Sequence, residues 1–210
     1  MHKLLSITLA ACLLLTGCAS GGNSSPKNVK HEDLPYGATL AFNQDTVIAS
    51  QYDSRFITTD MRDAVLKYYH AIEMKDEDAF VSVQLPLWHD YTVNTVYNGV
   101  YTDLQLMKTK YDACAKSFGG SFRYAEISIE DAELCAAESE GQQVLFVLDQ
   151  LAADRNEPKI SEESDGIWQL NVTRYLDKQE SNTRGETKNV LTDDQLYLIN
   201  WRSEWYVIIN

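Results

Sequence analysis

Residues 196–209 read LYLINWRSEWYVII. Two apolar runs, QLYLINW (195–201) and EWYVII (204–209), flank Arg202-Ser203. That pattern predicts a tight β-hairpin. In the first run Leu196 and Leu198 point one way and Tyr197, Ile199 and Trp201 the other. In the second, Trp205, Val207 and Ile209 oppose Tyr206 and Ile208. A sheet backed by helices on one side alternates apolar with polar. This hairpin is apolar on both sides, so something must bury its second face.

Two further strands precede it. FRYAEISI (122–129) places Ala125, Ile127 and Ile129 on one face, and IWQLNVTRYL (167–176) does the same with Trp168, Leu170, Val172 and Leu176. Between them GQQVLFVLDQLAADR (141–155) fits a strand or a helix. Its length and its Ala/Leu/Asp tail favour a helix.

The chain upstream is helical in pattern. Thr58-Thr59-Asp60 is an N-cap cluster, and Met61, Val65, Tyr68 or Tyr69, and Ile72 recur at helical spacing up to Met74. Asp76 restarts a short helix through Ala79, Phe80 and Val83, and Pro86 is expected to end it. Thr102-Asp103-Leu104-Gln105 is a capping box. Leu104, Met107, Tyr111, Cys114 and Phe118 form the inner stripe of the helix it starts, and Gly119-Gly120 stops that helix. Helices before strands predict an α+β fold, with N-terminal helices packed on a curved antiparallel sheet.

YYHAIEMKDEDAF (68–80) resembles the opening helix pair of the nuclear transport factor 2-like superfamily, and LYLINWRSEWYVII is similar to its closing hairpin. The resemblance covers roughly 58–210 and rests on packing positions. It implies a cone-shaped fold whose interior can hold a ligand, in isomerases and dehydratases as well as in non-enzymatic modules. The chain departs from the superfamily pattern in the last turn, which lacks Gly, and in an insertion around 131–165. A shared fold of this kind does not decide function.

MHKLLSITLAACLLLTGCAS opens the chain. Lys3 and the apolar run Leu4 to Leu15 have the order of a signal peptide; the run is shorter than the about 20 residues a membrane span needs. Leu15-Thr16-Gly17-Cys18 resembles the bacterial lipobox, which implies cleavage after residue 17 and a diacylglycerol thioether on Cys18. Two or three acyl chains, at about 0.8 kcal/mol per buried methylene, hold a protein on a membrane durably. Residues 18–34 are then a lipidated cysteine and a flexible tether of about 20–25 Å. Residues 35–57 carry Tyr36, Phe42, Val47, Ile48, Tyr52, Phe56 and Ile57, too apolar for a linker. They are expected to form an ordered arm covering the sheet's second face, with a second subunit as the other cover. A monomer is expected if the arm does so, and a homodimer if it does not.

The net charge is −13, from 18 basic and 31 acidic residues. Such a chain repels nucleic acid and anionic lipid headgroups. Cys114 and Cys135 remain besides the anchor and are expected to stay unbonded. Asp76-Glu77-Asp78 and Asp193-Asp194 lack the Gly and distal Glu of a calcium loop, and no zinc spacing occurs. No metal and no cofactor is therefore expected.

LWHDYT (87–92) supplies the catalytic candidates, His89 and Asp90. Extended chain would turn them to opposite faces, which weakens an acid–base pairing. Aromatics are plentiful, with 12 Tyr and 4 Trp. Trp88, Tyr91, Tyr97 and Trp168 are the candidates for a ligand pocket. The expectation is an extracytoplasmic lipoprotein, anchored to the cell membrane or the outer membrane. Its non-catalytic domain would bind a small molecule or an envelope protein. An isomerase- or dehydratase-type enzyme and a structural assembly module are the alternatives.

Overall fold

The computed structural model describes residues 38–42, 45–178 and 189–208. Cys18, the tether and residues 209–210 lie outside the described residues. The described elements run β1 (Ala38–Phe42), β2 (Ala49–Asp53), α1 (Thr59–Met74), α2 (Glu77–Ser82), α3 (Pro86–Tyr91), a π-helical segment (Thr92–Val96), α4 (Asp103–Phe118), β3 (Phe122–Leu134), α5 (Glu140–Asp154), β4 (Ser164–Lys178), β5 (Asn189–Trp201) and β6 (Glu204–Ile208). The fold is α+β, with the strands in one sheet in the order β1-β2-β3-β4-β5-β6.

Local signals explain most boundaries. Thr58 Oγ1 accepts from Met61 N to cap α1, and Asp76 Oδ1 accepts from Ala79 N to cap α2. The capping box at α4 is complete, with Thr102 and Gln105 satisfying each other's backbone N–H groups. Gly119 ends α4 at φ 86, a left-handed conformation that glycine adopts without strain. Arg202 and Ser203, both at positive φ, turn β5 into β6. Two expectations fail here. Pro86 opens α3 at its first helical position, where its missing N–H costs nothing, instead of only ending α2. Leu104 is exposed, since the inward stripe of α4 begins at Met107.

The sheet is mixed, not antiparallel throughout. β3 to β6 form an antiparallel meander, whereas β2 pairs with β3 in parallel, Ala49 opposite Glu126 and Tyr52 opposite Ile129. The arm therefore does not cover a face. It adds β1 and β2 at the sheet's edge and sends Ile48, Tyr52 and Ile57 into the core.

Each face has its own core. One joins α1, α2 and α4 to Ile127, Ile129, Leu170, Val172, Leu198 and Val207. The other joins α3 and α5 to Ile167, Tyr197, Ile199 and Ile208. The cover of the second face is thus α5, through Val144, Leu145, Leu148 and Ala152, and neither the arm nor a second subunit is needed there. The segment 131–165 is what brings α5 across. Gly141 lets it sit close: a Cβ there would meet Cys135 Sγ at 2.4 Å. Cys114 and Cys135 are free thiols, one in each core, with the sheet between them.

Candidate functional site

On the face covered by α1 and α4, a cavity of about 290 Å³ opens between those helices and strands β3 to β5. Its charged lining is Lys110, Arg174 and Asp194, and its aromatic lining includes Tyr68, Tyr69 and Tyr124. A typical small-molecule site is about 300–1,000 Å³, so the volume suits a small ligand.

The strand pattern places the charges. In β4 the inward residues are Trp168, Leu170 and Val172, then Arg174, then Leu176. In β5 Leu198 and Leu196 lead to Asp194. Arg174 Nη1 lies 3.3 Å from Asp194 Oδ2, and Tyr69 Oη donates to the same oxygen at 3.0 Å. The Arg174 guanidinium also sits over the Tyr69 ring, 5.9 Å from its centroid, and 3.5 Å from Cys114 Sγ. Cys114 Sγ is 3.7 Å from Tyr124 Oη. Asp194 is therefore held by two donors.

Burial pushes the Tyr68, Tyr69 and Tyr124 phenols well above their ordinary pKa, so they stay protonated hydrogen-bonding groups. Burial is the largest single influence on Arg174 and opposes the cation, but Asp194, Tyr69, Tyr124 and Cys114 together outweigh it and raise the guanidinium pKa. Lys110 differs. Burial lowers its pKa, with Asp194 offsetting only part of this and Arg174 adding to it. Among the described residues its ammonium has no hydrogen bond or ion pair.

A lysine whose folded pKa is lowered costs stability while it is charged. The unfolded chain binds the extra proton between the lowered value and about 10.4, so stability rises with pH across that window. Lys110→Met is expected to raise the melting temperature at pH 7 and to flatten the alkaline rise in stability. Melting curves of both proteins from pH 7 to 10 check this; parallel curves would show that Lys110 is not the strained charge.

The sequence candidates lie elsewhere. His89 and Asp90 are on a helix, not on extended chain; His89 Nδ1 lies 3.8 Å from Asp90 Oδ1, but each has a nearer partner. His89 Nε2 lies 2.6 Å from Asp103 Oδ1 at the start of α4, while Arg155 of α5 pairs with Asp90 at 3.1 Å. These contacts clamp α3 between α4 and α5, and neither residue lines the cavity. Trp88 and Tyr91 form a ring pair in the core beneath α5. Tyr97 packs edge-on against Tyr101, and Trp168 packs against the core of the other face. The four do not converge. The residues missed were Lys110, Arg174 and Asp194, whose signal is a charge in an inward slot of an otherwise apolar stripe.

Comparison with family models, with curated proteins and with solved structures returned no match for this chain. Among the described residues no helix is long and apolar enough to cross a membrane, and no cluster of three metal-ligating side chains occurs.

Proposed function

We propose that the domain is a non-catalytic receptor for a small anionic molecule, held to a bacterial membrane by a lipid on Cys18. The observation that carries it is the charge of the cavity. Lys110 and Arg174 face one acid, Asp194, inside a chain whose net charge is −13. A surplus cation in an acidic protein is not a by-product of its composition. Partial burial strengthens its attraction for an anion. The protonated tyrosines add donors around it.

An isomerase-type site needs a carboxylate ready to take a proton. Asp194 Oδ2 is instead already occupied, accepting from Tyr69 and pairing with Arg174. The order of helix pair, further helix and closing β-meander supports the likeness to the nuclear transport factor 2-like superfamily, with the cavity on the helix-covered side of the sheet. The lipobox order Leu15-Thr16-Gly17-Cys18 supports the anchor, with an extracytoplasmic domain on its tether.

NMR titration with small carboxylates, phosphate esters and amines tests the cavity. Acids are expected to bind unchanged, and Lys110→Gln and Arg174→Gln each to weaken them at least tenfold. Equal binding of amines, or wild-type affinity in Lys110→Gln, would refute the reading. The anchor is tested separately: Cys18→Ala expressed in a bacterial host should move from the membrane fraction to the soluble fraction.

A further inference from the structure

A second cavity, of about 180 Å³, lies between α2, the π segment and α4. Phe80, Val93, Tyr97 and Leu106 give it an apolar lining, and Gln84, Thr92, Thr109 and Lys110 are its polar members, Gln84 donating to Phe80 O and Thr109 to Gln105 O. Two observations mark it as more than a packing defect. Thr92 is buried, yet its Oγ1 has no hydrogen-bond partner among the described residues. Buried hydroxyls are nearly always satisfied, so an orphan facing a cavity points to an absent partner. Thr92 also begins the π-helical turn, closed by Tyr97 N donating to Thr92 O at 2.9 Å. Such single π turns occur frequently at functional sites, since the wider turn re-aims side chains. Here it delivers Thr92 and Val93 to the cavity and Tyr97 to its rim.

Lys110 lines this cavity and the larger one alike. This cation, without an ion pair among the described residues, thus stands where a polar chamber meets an apolar one. We propose that the smaller cavity is an apolar subsite and that the ligand is an amphipathic acid. Its anionic group meets Lys110, its apolar arm lies among Phe80, Val93 and Leu106, and a polar atom on the arm bonds the Thr92 hydroxyl. This rests on the larger cavity being an anion site.

The full chain is titrated by NMR with propanoate, 3-phenylpropanoate and 3-phenylpropan-1-ol. The phenyl acid is expected to bind at least tenfold tighter than propanoate. Val93→Trp and Leu106→Trp, which fill the cavity from opposite walls at partly exposed positions, should each remove that gain and leave propanoate binding unchanged. Lys110→Gln should weaken both acids. If propanoate binds but the phenyl group adds nothing, or the gain survives in both tryptophan variants, the subsite is refuted while the anion site stands. If the alcohol binds as tightly as the phenyl acid and propanoate does not bind, the anion site fails and the amphipathic-acid proposal fails with it. Absence of binding by all three overturns both.

Discussion

A chain that begins at Thr58 is expected not to fold cooperatively, while one that begins at Pro35 melts like the full chain. The truncation removes β1 and β2 and with them Ile48, Tyr52 and Ile57, all buried in the core under α1. At about 1.5–3 kcal/mol for each buried side chain, the loss is about 5–9 kcal/mol. Total stability of a domain is about 5–15 kcal/mol. It also strips β3 of its parallel partner and leaves a long edge with unpaired N–H and C=O groups. The other end of the sheet is protected, since Val207 N on β6 donates to Val83 O in the turn after α2. Circular dichroism melting and light scattering of the two chains check this. A Thr58 chain that melts within a few degrees of the Pro35 chain, without aggregating, would show that the N-terminal strands add little.

Leu148→Asp is the second large effect. Leu148 is fully buried at the centre of α5, beneath which lie Ile167, Ile199 and Ile208. The substitution loses the burial of the leucine and places a carboxylate where only apolar groups surround it. Destabilisation of about 3–5 kcal/mol is expected. For a domain of this size that lowers the melting temperature by roughly 10 °C or more. Phe146→Asp, two residues away on the same helix but 65% exposed, should leave it nearly unchanged. If the two variants melt alike, α5 is not what closes the second face.

The sequence made the hairpin legible because its signals are local: two apolar runs and a two-residue turn that both adopt positive φ. It also showed that the second face needed a cover. What it hid was the docking of that cover. Val144, Leu145, Leu148 and Ala152 mark an amphipathic helix, but which surface they meet depends on the connections from β3 and to β4. The β2–β3 pairing was hidden for a similar reason. ASQYD carries little apolar alternation, and its partner lies beyond four helices. Pro86 was ambiguous, because proline both stops one helix and opens the next. The cavity was legible in principle. Lys110 falls between Met107 and Cys114 on the inward side of α4, and Arg174 interrupts an apolar alternation. Aromatic abundance pointed instead to Trp88, Tyr91, Tyr97 and Trp168, which fill cores or rims.

The parallel seam between β2 and β3 orders events in time. β3 to β6 pair in sequence order, with one α-helix between β3 and β4 and a two-residue turn between β5 and β6. β2 must wait for a partner that follows α1 through α4, and closing so long a loop delays it. In a chain that emerges from its N-terminus, the first strands made must wait until α1 to α4 and β3 have followed them. During that interval the β1–β2 segment is held only by what it does alone, and an isolated two-stranded unit is barely stable in water. The oldest part of the nascent chain is thus the part longest exposed to proteases and to other chains.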